Sequence, residues 1–303
     1  MYILFLVECN IQCMKIDTNL VHKLINSQFP KWSNLSIIPV KRSGWDNRTF
    51  RLGTDLLVRM PSAESYSAQV HKEQRWLPYL GEWLSIPIPK VIAFGMPEHG
   101  YPWSWSVYQW IEGEDVESSS NIDSIGLAKS IAQFVGELHE LESSNGPIAG
   151  SHNFFRGAAL SEYDIETKTY IDLLEKDICT DKALSIWNRA LETQWTCDPV
   201  WVHGDLEASN MLVSKGKLAA VIDFGNCAVG DPACDLVMAW TYFNESGREA
   251  LRSNLDLDND TWERARAWAL WKALFRMSSS IESRATQYCA AQHLVEKILA
   301  ASW

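Results

Sequence analysis

The stretch WVHGDLEASNMLV (residues 201–213) gathers a His, two acids and an Asn within a few positions, between two apolar flanks. Apolar runs of this length suit short buried strands, and the polar middle suits a loop held between them. A second stretch, KLAAVIDFG (217–225), puts Asp223 directly after an apolar run that reads as a strand end. A hard cation such as magnesium takes few protein oxygen ligands and completes its shell with water and substrate phosphates. Asn210 and Asp223 offer two such ligands, which leaves Asp205 to accept a proton from a hydroxyl nucleophile. That division of labour is the one phosphoryl transfer requires.

Outward from this centre the pattern changes twice. TNLVHKLINSQF has Leu20, Val21, Leu24, Ile25 and Phe29 at helical spacing, with a cap expected at Asp17 or Thr18. SIIPVKR, RTFRLG and DLLVRMP read as three antiparallel strands. SAESYSAQVHKEQRWLPYLGEWL reads as a helix that breaks near Pro78 or Gly81, and PIPKVIAFGMP and WSWSVYQWI as two more strands. The acidic, Ser-rich EGEDVESSSN marks a boundary. Beyond it the chain is mainly helical, with the last helices predicted in TWERARAWALWKALFRMSSSIES and TQYCAAQHLVEKILA. The expected fold class is α+β with two lobes. A small N-terminal antiparallel five-stranded sheet plus helix occupies 1–111, and a larger, mainly helical lobe occupies 112–303. Residues 1–13 read as a start extension ahead of Met14.

Composition narrows the function classes. The 303-residue chain is 47% hydrophobic and 21% charged, as ordinary globular proteins are. Its net charge of −11 disfavours nucleic acid as a partner. The apolar N-terminal run is too short to span a membrane. Seven irregularly spaced cysteines without a CxxC support neither a disulfide framework nor a zinc site, and fit a reducing cytoplasm.

HGDLEASN (203–210) matches the spacing of the protein-kinase catalytic loop, and IDFG (222–225) its metal-binding element. Gly204 after His203, and VGDPACDL (229–236) after the second motif, resemble the aminoglycoside phosphotransferase family. The resemblance runs from about residue 35 to the end and is strongest over 201–240. It implies the kinase-like fold and transfer of the γ-phosphoryl group of ATP or GTP to a hydroxyl of a small molecule. An aminoglycoside or related antibiotic is the expected acceptor. The alternatives are a kinase for a housekeeping metabolite (sugar, choline or amino alcohol) and a nucleotide-binding pseudokinase. The implied roles are Asp205 as catalytic base and Asn210 and Asp223 on magnesium. His203, Asp231 and Asp235 are expected to be structural.

The resemblance also implies a nucleotide cradle. The kinase G-x-G-x-x-G is missing, so Ser43 and Asn47, in SGWDN, are expected near phosphate. The third strand carries Arg59 where a Lys is usual. Arg is always charged and can both bind phosphate and pair with a helix acid, for which Glu73 is the candidate. Backbone groups around Gln109 to Ile111 are expected to read the base, with Tyr108 or Trp110 near its ring. On the acceptor side, Glu207 and the insert GSHNFFRGAAL (150–160) are candidates, and Trp268, Trp271 and Phe275 read mostly as core, with a pocket wall as the alternative. The protein is expected to act as a monomer or dimer.

Overall fold

The computed structural model describes residues 15–41, 46–281 and 286–301. The expected start extension and Ser43 therefore lie outside the described residues. The described residues divide into two compact units, one of residues 15–41, 46–113 and 219–225, the other of residues 114–218, 226–281 and 286–301. The segment 219–225, which carries Asp223, thus groups with the N-terminal residues, whereas the sequence reading kept it with the helical lobe.

In the N-terminal unit, helix α1 (Thr18–Gln28) starts at Asp17, whose carboxylate accepts hydrogen bonds from the Asn19 and Leu20 amides. Such a cap satisfies amides that the first helical turn leaves orphaned. Val21, Leu24 and Ile25 are buried, as their spacing predicts. The strands β1 (Ile37–Pro39), β2 (Asn47–Leu52), β3 (Leu56–Pro61), β4 (Val91–Gly95) and β5 (Trp105–Gln109) form one sheet in the order β1-β2-β3-β5-β4. The printed pairings are antiparallel, with a register irregularity between Val91 and Ala93. The α1 residues pack with Phe50, Leu52, Val58, Met60, Trp105 and Val107 into the core of this unit. Helix α2 (Glu64–Gly81) contains Pro78 and continues through it to Gly81. It packs on β3, β4 and β5, which brings Glu73 towards the Arg59 strand.

The second unit begins with β6 (Glu114–Asp115), which pairs with β8 (Met211–Ser214). Helix α3 (Ser124–Glu140), capped by Asp123, packs on β7 (Val200–Val202). Helices α4 (Asp164–Leu173) and α5 (Thr180–Leu191) follow. Strand β9 (Lys217–Val221) follows β8 after a turn at Lys215 and Gly216. Strand β10 (Ala228–Gly230) pairs antiparallel with β7, the strand that leads into the 203–210 loop. The short α6 (Met238–Thr241) and α7 (Glu245–Arg252) lead to α8 (Asn259–Ser279) and α9 (Thr286–Ala300). Helix α8 is buried almost all round, against α4, α5, α6 and α9. A helix so enclosed must pair any charge it carries. Its charged residues Arg264 and Lys272 are both buried and both paired. No described helix is long and apolar enough to cross a membrane.

Candidate active site

Two constellations of charge stand out, one in each unit. In the N-terminal unit, Arg59 on β3 donates to Glu73 Oε1 from Nη1 at 2.7 Å. Its Nη2 donates to Asp223 and lies 3.5 Å from Asp46 Oδ2. Glu73 is almost fully buried and accepts a second hydrogen bond, at 2.5 Å, from the Tyr108 hydroxyl. Burial by itself would lower the Arg59 pKa, but the carboxylates of Asp223, Glu73 and Asp46 more than offset this and raise it well above the usual value. Burial, aided by Asp223, pushes the Asp46 carboxyl up, while Arg59 opposes the shift. Burial, and then Glu73, raises the Tyr108 pKa well above the ordinary phenol value. The segment that carries Asp223 is held to this unit by the Val221 amide, which donates to the Pro87 carbonyl at 3.0 Å. Asp223 itself adopts φ +69, a left-handed conformation that Asp tolerates better than most residues.

The structure thus brings Arg59, Glu73 and Asp223 together. Sequence reasoning paired the first two and missed Asp223, Asp46 and Tyr108 as their neighbours. Asn47 is buried at the start of β2 beside Asp46. Gln109 ends β5, and its amide donates to the Lys90 carbonyl, while that of Trp110 donates to Asp55. Those two donors are therefore spent within the sheet. Ile111 follows, half-buried. The Tyr108 side chain is committed to Glu73, and the Trp110 ring lies under Arg51 at 4.5 Å.

In the second unit the loop after β7 is fixed from several sides. Asp235 accepts from the His203 amide at 2.6 Å and the Gly204 amide at 2.8 Å. Gly204 has φ +80, and a Cβ there would collide with the Asn226 carbonyl oxygen, so the residue after His203 has to be Gly. His203 is fully buried and accepts from the Asp205 amide through Nδ1 at 3.2 Å. Its ring therefore shapes the loop. Asp231 caps the turn at 232–235 and holds Arg264 through a buried, two-pronged ion pair. Both acids of the GDPACD segment are thus tied to protein groups.

Asn210 donates from Nδ2 to the Asp205 carbonyl at 2.9 Å and to Asp205 Oδ2 at 3.3 Å. Both bonds use the amide nitrogen, which turns the amide oxygen into the free end. A side-chain amide oxygen and a carboxylate are suitable hard donors for magnesium, which needs few of them from protein. Among the described residues, no group of three or more His, Cys, Asp or Glu residues is gathered to hold a metal alone.

Lys272 of α8 donates to Asp205 Oδ1 at 2.7 Å and to Glu207 Oε1 at 2.6 Å, and Arg276 pairs with the other Glu207 oxygen. Burial alone would raise the Asp205 pKa, but Lys272 first and Arg156 next pull it below the usual carboxylate range. Sequence reasoning missed Lys272 and Arg276. Their signal was present in AWALWKALFRM, where a Lys inside an apolar helical run must find a partner.

The 150–157 loop is the third part of this unit's site. The buried Asn153 side chain donates to the carbonyls of Arg156 and Asn226 and accepts from the Gly150 amide. Phe154 and Phe155 both have left-handed backbones, φ +55 and +57. Each such residue costs on the order of 1–3 kcal/mol unless its surroundings enforce it. The Asn153 bonds, and the Asp231 amide donating to the Gly157 carbonyl at 2.7 Å, supply that enforcement.

With this geometry described, the comparisons gain meaning. The model of the phosphotransferase enzyme family matches residues 37–268. An aminoglycoside 3'-phosphotransferase from Escherichia coli is 38% identical over 48 residues, 16% of this chain and 18% of that protein. Isoform 2 of glycogen [starch] synthase from Saccharomyces cerevisiae is 29% identical over 120 residues, 36% of this chain and 17% of that protein. The chain therefore spans under a fifth of the length of these curated relatives. A solved aminoglycoside phosphotransferase, APH(2")-IIIa with GDP and kanamycin, superposes with TM-score 0.71 at 18% identity, covering 94% of this chain and 99% of that one. At that identity the likeness shows the fold, the kinase-like α+β fold expected from the sequence.

Proposed function

Because the chain belongs to the phosphotransferase enzyme family, we propose that it moves the γ-phosphoryl group of ATP or GTP to a hydroxyl of a small molecule. The observation that carries this reading is the Asp205–Asn210 pair, in which one amide group steadies the proposed base and frees its own oxygen for a metal. Asp205 is held ionised, so it orients the acceptor hydroxyl and takes its proton late, as the loose transition state of phosphoryl transfer allows. Asn210 and Asp223 are the proposed magnesium ligands. The ion, when bound, neutralises charge on the transferring phosphates. Arg59, steadied by Glu73, is proposed to hold phosphate, a role also proposed for Ser43 and Asn47, and the carbonyls from Gln109 to Ile111 with the Ile111 amide to read the base.

The names of the relatives suggest an aminoglycoside acceptor and a role in antibiotic resistance. The charge around Asp205 favours the other reading, a cellular metabolite. A polycation would seek open carboxylates, and both oxygens of Glu207 are already met by Lys272 and Arg276. The test is transfer of the labelled γ-phosphoryl group from each nucleotide to a panel of hydroxylated acceptors, kanamycin included, with and without magnesium. Magnesium-dependent transfer to a non-aminoglycoside is expected. Nucleotide binding with neither transfer nor hydrolysis would identify a pseudokinase instead.

A further inference from the structure

The loop at 150–157 presents one cation that the proposed chemistry does not use. The Arg156 guanidinium lies over the Trp271 ring, 4.3 Å from its centre, with the rings of Trp268 and Tyr163 at 5.5 and 5.8 Å. Its Nε and Nη1 are shut from solvent and have no hydrogen-bond partner. The other two cations near Asp205 are spent, Lys272 on Asp205 and Glu207, and Arg276 on Glu207. Among the described residues Arg156 is thus the cation of the three with no carboxylate in ion-pair contact, although it lies near enough to Asp205 to lower its pKa.

We infer that the acceptor of this enzyme carries an anionic group, received by Arg156, on a body that rests against the exposed Phe275 ring. This rests on the phosphotransfer reading and names the substrate class for it. A half-buried guanidinium with unmet donors is costly unless an anion completes it. A guanidinium lying over an indole keeps its in-plane N–H donors free of the ring, the donor set that grips a carboxylate or phosphate with two bonds. The chain holds this arrangement against backbone strain at Phe154 and Phe155, the two residues before Arg156. Trp271 is itself buried, but Phe275, stacked on it at 5.9 Å and 11°, is 45% exposed. An incoming polycation would meet Arg156 unscreened and would have to displace Lys272 or Arg276 to reach a carboxylate.

The test uses three probes that share a phenyl ring and a hydroxyl but differ in charge: 3-phenyllactate (anionic), its amide (neutral) and phenylalaninol (cationic). Binding to the full chain is measured by calorimetry. Phenyllactate is expected to bind about tenfold tighter than the amide, the size of one charge-assisted contact, with phenylalaninol weakest. Arg156→Gln should erase the difference, and Arg156→Lys should keep part of it. Equal or tighter binding of the amide or of phenylalaninol overturns the inference, as does an anion preference that survives in Arg156→Gln. If Arg156→Gln does not fold, the wild-type order and Arg156→Lys decide. Binding is read without turnover. A protein that keeps the order but transfers no phosphoryl group from ATP or GTP overturns the phosphotransfer reading, and with it the acceptor's role. Transfer with an inverted order overturns the inference alone.

Discussion

The surroundings of Arg59 and of Asp205 balance charge differently. Around Arg59, one guanidinium serves three carboxylates, those of Glu73, Asp223 and Asp46. Around Asp205, Lys272 and Arg276 pair with Asp205 and Glu207, and Arg156 acts on Asp205 from farther off. The proposed magnesium ligand Asp223 belongs to the first, and the proposed anion receptor Arg156 to the second. The whole-chain charge of −11 concealed this difference. Net charge describes the solvated surface, whereas recognition follows the few charges that share one desolvated place.

Three substitutions would break or sharpen the contrast. The largest effect is expected from Asp205→Ala, which removes the proposed base and leaves Lys272 over-supplied. Turnover should fall on the order of a thousandfold with the fold retained, checked by steady-state kinetics beside a thermal melt. Unchanged turnover would remove Asp205 from the chemistry. Next is Asp223→Ala, which takes one carboxylate from the acid-rich side. Magnesium-dependent nucleotide binding should weaken on the order of a hundredfold by calorimetry, while binding without the metal changes little. An equal loss with and without magnesium would mean that Asp223 serves Arg59 and not a metal.

The smallest effect is expected from Lys272→Met. It should lower kcat/KM about tenfold, the loss of one charge-assisted hydrogen bond. Lys272 helps hold the Asp205 pKa below its ordinary value, so removing it lets that pKa rise. The acid limb of the pH–rate profile should therefore move to higher pH. The sign for stability agrees. A depressed carboxylate pKa stabilises the fold above the unfolded-state value and loses that advantage as pH falls through the folded-state value. Wild type and Lys272→Met should accordingly converge in stability at low pH. A rate profile unmoved on its acid side would show that Lys272 does not set the Asp205 charge.

The structural elements differed in how legible they were. Helices α1, α2, α3, α8 and α9 were readable from apolar residues spread over many positions, and the five strands from short apolar segments set between turn residues. Strands β6 and β10 were not, because two or three residues hold no period and pair only once distant chain is in place. Helix α7 hid for a different reason. It is mostly polar, and only Gly247 and Leu251 are buried.

At the site, the sequence alone determined the groups whose spacing is local: the Asp205–Asn210 loop, the Asp223 strand end, Gly204 and the Arg59–Glu73 pairing across one strand and one helix. Ion pairing between residues far apart was decided only by the tertiary structure. Lys272 and Arg276 reach Asp205 and Glu207 across some sixty-five or more residues of chain, and Arg59 reaches Asp223 across 164. Side chains on separate elements become partners only when packing sets their distance, and no local period encodes that. The sequence could require that a buried Lys and a buried Arg find opposite charge or an aromatic face. Only the packing of α8 and the strained 150–157 loop determined which one each found, and so left Arg156 without a carboxylate.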